Sequence, residues 1–146
     1  MARIKIDLPD LFGFTCAIPV RISDINYGGH VGNDAILSLI HEARLQYLQQ
    51  YGYTELDLGG AGLIMADAAI EFKQELFYGE TVLVSVTAAG WSRIGFDLFY
   101  KLEKKKTDGT PVLVAAAKTG MVCYDYRLKK VTAVPAAAVA KMKVTE

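Results

Sequence analysis

The sequence is short of the residues that mark several whole classes of protein. It has two cysteines, Cys16 and Cys123, far apart and outside any CxxC pairing. Neither a disulfide scaffold nor a zinc ribbon is indicated, and both read as buried thiols in a reducing compartment. Neither of its two histidines has a second His or Cys at metal-ligand spacing, which argues against a metal hydrolase; no cofactor is expected. Net charge is absent as well, with sixteen Lys plus Arg against sixteen Asp plus Glu, so no global field gathers phosphate backbones or anionic lipid. No run reaches the roughly 20 apolar residues of a membrane span. Arg3, Lys5, Asp7 and Asp10 interrupt the stretch from Met1 to Phe14 in which a signal peptide would need an unbroken apolar core. Nucleic acid and membrane are therefore set aside as partners, and the cytoplasm is the expected location.

What is present suits one compact domain over 1–146, since 52% of the residues are hydrophobic, enough for a sizeable core. A neutral surface on a chain of positive mean hydropathy offers little colloidal repulsion, and burying apolar surface between subunits is one way to stay in solution. A homo-oligomer is expected.

Residues 14–23 mix β-branched and aromatic side chains and read as a strand, with Pro19 at an edge or bulge position. After a glycine-rich segment, with Asn33 or Asp34 as helix cap, apolar residues at 36, 39, 40, 43, 47, 48 and 51 follow the spacing of an amphipathic helix that ends near Gly52. Glu42 lies about 100° or more off the centre of that apolar arc. From Ala61 the period becomes two. Ile64, Ala66, Ala68, Ile70 and Phe72 alternate with more polar neighbours, and 81–89, 94–102 and 111 to about 126 continue in the same style, with a turn at Thr107 to Thr110. This reads as a meander of four long strands. Lys104 to Lys106 reads as a solvated turn, and the tail from Pro135 to Met142 as a short helix. The order predicts an α+β fold in which one long helix is wrapped by a curved, five-stranded antiparallel sheet.

The segment Asp24 to Asn33 is the most distinctive. It sets a carboxylate, two amides, an imidazole and three glycines immediately before a helix N-terminus. Glycine lets backbone approach a ligand closely, and the first helical turn offers free N–H groups with partial positive charge. An oxygen that becomes negative during a reaction would be stabilised there. Gly28, Gly29 and the N–H groups around His30, Val31 and Asn33 are the candidate oxyanion site. Tyr27, Ile36 and Met65 are candidates for lining an acyl pocket, and Lys73 and Arg93 for meeting phosphates.

The stretch Arg21-Ile-Ser-Asp-Ile-Asn-Tyr-Gly-Gly-His-Val-Gly-Asn33, followed by His41-Glu-Ala-Arg44, resembles the signature of the hot-dog-fold acyl-CoA thioesterases. It is most similar to the 4-hydroxybenzoyl-CoA thioesterase-like group, whose pattern runs Ser-Asp-x-Asp-x-x-Gly-His-Val-x-Asn and then Glu-Ala-Arg. The resemblance implies an acyl-CoA or acyl-carrier thioester substrate, a dimer or tetramer, and active sites at the subunit interface. It also implies a catalytic carboxylate where this chain has Asn26, and an amide can neither attack a thioester nor take a proton from water. Asn26 can still hydrogen-bond a carbonyl or hold a water. Three residues are candidates for the missing charge: Asp24, two positions away; His30, whose imidazole suits a general base; and Glu42, which resembles the helix acid of other hot-dog thioesterases. Three functions follow: an acyl-CoA thioesterase, a non-catalytic acyl-CoA-binding protein favoured by Asn26, and a hydratase or dehydratase using His30 with Asp24.

Overall fold

The amphipathic stretch forms one long helix, and the alternating stretches form the sheet that holds it. In a computed structural model, which describes residues 1–144, the elements run β1 (Phe14–Pro19), a 3-10 turn (Ile22–Asp24), α1 (Asn33–Gln49), β2 (Gly62–Phe72), β3 (Thr81–Ala89), β4 (Gly95–Lys105), β5 (Pro111–Asp125), β6 (Lys130–Val131) and α2 (Ala136–Met142). α1 buries Ile36, Leu39, Ile40, Ala43, Tyr47 and Leu48, and it packs on β1 and β3. The opposite side of the core comes from alternate residues of β4, namely Phe96, Leu98, Tyr100 and Leu102, all at most 3% exposed. An apolar stripe facing an apolar sheet face is the packing that the periodicities of 3.6 and 2 require.

Three expectations need correction. The sheet has six strands rather than five, because the two-residue β6 pairs with the end of β5. The four long strands are not one meander, since the order is β1-β3-β4-β5-β2; β2 lies against β5, which matches Ile70 and Phe72 to Ala117 and Ala115. And the alternation in β2 changes phase. The register shifts between Met65 and Asp67, so Ala66 is an extra residue. A bulge of this kind swaps the faces on either side of it. Leu63 points to the core opposite Cys123, and beyond the bulge Ala68, Ile70 and Phe72 lie opposite Thr119, Ala117 and Ala115.

Ahead of β1 the chain crosses the outer face of the sheet. The Ile6 N–H donates to Glu71 Oε1 at 3.1 Å, on β2, and Lys101 Nζ of β4 lies 4.9 Å from the centre of the Phe12 ring. β1 and β2 are the two ends of the main strand order, so this strap runs from one edge to the other.

Candidate active site

The distinctive loop is a closed structure of its own. An isolated bridge joins Ile25 to Val31, the Asn26 N–H donates to His30 O at 2.9 Å, and the Gly29 N–H donates to Asn26 O at 3.1 Å. Gly29 has φ +85°, a conformation that favours glycine. The Asn26 side chain accepts the Gly28 N–H on Oδ1 at 2.9 Å, so its Nδ2 remains as a donor. The Gly32 N–H donates to Asp24 O, and the Ile36 N–H donates to Gly32 O. The N-cap is therefore Gly32, one residue before the expected Asn33 or Asp34, and no side chain caps it. The extended Gly32 hands the chain into the helix, leaving the N–H groups of its first turn without intrahelical acceptors.

His30 stands where this loop meets a cavity. Its Nδ1 lies 3.1 Å from Val31 O, and because a carbonyl only accepts, in the neutral ring the hydrogen is on Nδ1 and Nε2 carries the lone pair. The ring meets Phe77 edge to face at 6.5 Å. The cavity, about 360 Å3, is lined by His30, Val31, Asn33 and Ile36 from the loop and helix, by Phe72 to Phe77 from the end of β2 and the connection after it, and by Lys104 and Val114. That volume lies in the range of small-molecule sites. The Val31 N–H donates to Leu76 O at 2.8 Å, which ties the motif to the connection.

The other candidates are dispersed. Asp24 is buried and committed to Arg21, accepting its backbone N–H at 2.8 Å and its guanidinium at 3.1 Å. Glu42 lies nine residues beyond Asn33, about 14 Å further along the helix, beside a separate depression bounded by β1 residues, Arg21 and Gln46. There it accepts a hydrogen bond from Gln46 at 2.9 Å, and its charge adds to burial in pushing the Cys16 thiol up. Tyr27 is fully exposed and Met65 half exposed. Lys73 does line the cavity and pairs with Glu71 at 2.8 Å. Arg93 sits at the far end of β4 from Lys104, on the order of 30 Å away, so the two cannot serve one phosphate within a protomer. Among the described residues, no group of three His, Cys, Asp or Glu side chains is placed to hold a metal ion.

Sequence reasoning passed over Glu75 and Phe77 and took Lys104 for part of a solvated turn. Lys104 is no solvated turn residue. Its ammonium donates to Glu75 O at 2.7 Å and pairs with Glu80 at 3.1 Å, and it lies 5.3 Å from the centre of the Phe77 ring. The signal available was the exposed aromatic and acidic cluster after β2, which carries no motif.

Residues 20–142 match the model of the thioesterase-like superfamily. The chain belongs to that family. A 1,4-dihydroxy-2-naphthoyl-CoA hydrolase from Microcystis aeruginosa is 30% identical over 107 residues, covering 71% of this chain and 74% of that one. Among solved structures, an Asp-to-Asn mutant of a 4-hydroxybenzoyl-CoA thioesterase complexed with 4-hydroxybenzoyl-CoA superposes with a TM-score of 0.80 at 18% identity, covering 89% of this chain and 98% of that one. A 1,4-dihydroxy-2-naphthoyl-CoA thioesterase from Synechocystis gives 0.77 at 23% identity, with 90% and 98% covered. These likenesses establish the hot-dog fold that the motif led us to expect, and the family match bears out the thioesterase resemblance.

Proposed function

We propose that the protein hydrolyses an acyl-CoA thioester to free acid and CoA in the His30 cavity. The observation that carries this reading is the commitment of His30 Nδ1 to Val31 O, which leaves Nε2 as a base toward a cavity walled by the first turn of α1. In the reaction, Nε2 takes a proton from water while the water oxygen attacks the thioester carbonyl carbon. The resulting oxyanion is met by the free N–H groups at the start of α1, donors in place before charge develops; Asn26, which is outside the cavity lining but packs beside Gly32 and His30, offers Nδ2 as a further donor. Collapse breaks the carbon–sulfur bond, and the CoA thiolate takes the proton back from His30. Lys73, on the cavity wall, serves a phosphate of CoA.

The protein acts as a homo-oligomer in this reading. β2 is paired on one side only, and its Met65 and Phe72 are 49% and 45% exposed; a free edge carrying exposed apolar side chains is a natural seat for a second copy. Two buried free thiols suit the cytoplasm. No helix among the described residues is long and apolar enough to cross a membrane.

Thiol release from a panel of acyl-CoA esters, aromatic and aliphatic, tests the reading. Turnover that falls about 100-fold or more in His30→Ala supports it, with Glu42→Gln as a control outside the cavity. Saturable acyl-CoA binding without thiol release would instead support the binding-protein reading, which the amide at 26 favours. The hydratase reading needs Asp24 beside His30, and Asp24 is held by Arg21.

A further inference from the structure

We propose that Glu75 is the positioning carboxylate of this site, supplying through His30 the negative charge absent at position 26. The inference rests on reading the His30 cavity as the hydrolytic centre. Glu75 belongs to the connection between β2 and β3, and that connection is fixed on both flanks of the residue. The Val31 N–H donates to Leu76 O at 2.8 Å, Lys104 Nζ donates to the Glu75 carbonyl at 2.7 Å, and the Phe77 N–H donates to Glu80 Oε1 at 2.7 Å. The backbone of residue 75 is thus pinned by the motif, by β4 and by its own turn. From there the carboxylate reaches His30, with Oε1 3.8 Å from Nε2.

Two details make this more than a chance approach of charges. The nitrogen that Glu75 faces is Nε2, the one not held by Val31. The cations beside the Glu75 carboxylate pair with other carboxylates: Lys73 with Glu71 at 2.8 Å and Lys104 with Glu80 at 3.1 Å. Among the described residues, the Glu75 carboxylate approaches the ring of His30.

The distance itself suggests the role. At 3.8 Å a neutral Nε2 and a carboxylate make no hydrogen bond, since both only accept. Once Nε2 has taken a proton from water, it becomes a donor, and a shift of about 1 Å brings the pair to charge-assisted hydrogen-bond length. Such a contact forms as the imidazolium forms and dissolves when the thiolate takes the proton back. Glu75 moves no proton. An interaction gained only as charge develops lowers the barrier without tightening substrate binding. Nothing in the sequence marks the pair, because 45 residues separate its members and the connection has no motif of its own.

The test is a double-mutant cycle on thiol release with Glu75→Gln, Glu75→Asp, His30→Ala and the His30→Ala/Glu75→Gln pair. The expected result is a fall in kcat of roughly 10- to 100-fold in Glu75→Gln with KM little changed, and partial recovery in Glu75→Asp. In the His30→Ala background, Glu75→Gln should cost nothing further. Wild-type kcat in Glu75→Gln, or losses that multiply in the pair, would overturn the proposal. A second readout needs no turnover: in 15N-labelled protein at neutral pH, the His30 ring nitrogens should shift in Glu75→Gln while those of His41 stay in place. If His30 responds but no ester is cleaved by the wild type, the hydrolytic reading fails and the pair stands. If esters are cleaved while both readouts ignore Glu75, the reverse holds.

Discussion

Arg44 donates from Nη1 to the phenolic oxygen of Tyr100 at 3.2 Å, across a buried boundary between α1 and the middle of the sheet. The phenol is in turn 2.8 Å from Thr119 Oγ1, and Arg44 Nε lies 3.5 Å from Glu55 Oε1. The same carboxylate oxygen is 2.7 Å from His41 Nε2. A guanidinium cannot shed its charge, so burying it requires a compensating anion and acceptors for its protons. Glu55 is that anion, and burial of the Tyr100 hydroxyl raises its pKa above that of a free phenol, keeping it neutral and able to accept.

Removing the compensating charge should therefore cost at least as much as removing the acceptor. We expect Tyr100→Phe to destabilise the fold by about 1–3 kcal/mol, the cost of leaving buried polar groups unpaired. Glu55→Gln should cost at least as much, because Arg44 would remain buried without its anion. Urea unfolding followed by tryptophan fluorescence at Trp91 measures both. Equal stability of Glu55→Gln and wild type would show that the guanidinium finds its compensation elsewhere.

Asp24 has a structural role, and its substitution should separate stability from activity. Its carboxylate closes the turn with Arg21 through a backbone N–H and the guanidinium. Asp24→Ala is expected to lose about 1–3 kcal/mol of stability and to retain kcat per folded molecule. A large fall in kcat with unchanged Tm would place Asp24 in the chemistry instead.

Asp67 offers a test by pH. Hydrogen bonding to Lys118 comes first among the causes that hold its carboxyl below the usual range, and the Gly120 N–H adds to it. A group whose folded pKa is depressed contributes stability above its unfolded pKa, about 3.9, and loses that contribution as pH falls through the folded value. The Tm difference between wild type and Asp67→Asn should thus be present at pH 6 and shrink below about pH 4. A difference that persists at pH 2.5 would mean that Asp67 acts through packing at the bulge rather than through charge.

The periodic parts of this fold were legible because burial imposes them. Leu39, Ile40 and Ala43 had to share a helix face, and Leu98, Tyr100 and Leu102 a strand face. The bulge at Ala66 was not legible: an inserted residue leaves no mark in a run of small side chains such as Ala66, Ala68 and Ala69, and it reverses the phase beyond it. The order of strands was hidden for a related reason, since alternation tells which face a residue takes and not which neighbour a strand finds. Within the site, His30 and Asn33 could be read from a local motif. Glu75 and Lys104 could not, because they reach the cavity only through the pairing of β2 with β5 and of β4 with β5.

The cysteines should be silent in the native state. Cys123 is fully buried, and desolvation pushes its thiol up to about 11; Cys16 is raised by burial and by Glu42. Thiolate is the reacting form, so a disulfide reagent at pH 8 is expected to titrate no thiol in the folded protein and two after denaturation. Rapid reaction of one thiol in the folded state would reveal opening near β1 or β5.

Asn26→Asp distinguishes two ways of running the hydrolysis. The Oδ1 that accepts the Gly28 N–H has an equivalent in aspartate, so the loop should fold as before. What changes is the other atom: Nδ2, a donor, becomes a carboxylate oxygen that only accepts. With His30 as base and Asn26 as a donor to the thioester carbonyl, the substitution sets a negative charge where the oxyanion develops. The expected outcome is a fall in kcat of about 100-fold, the scale of one lost oxyanion donor, and Asn26→Ala should fall by a similar factor. A rise in kcat would mean that an acid at 26 takes over the chemistry, and would move the role of base from His30 to that carboxylate. The two outcomes differ in sign because a single atom is either the donor that quiets the oxyanion or the acceptor that makes the nucleophile.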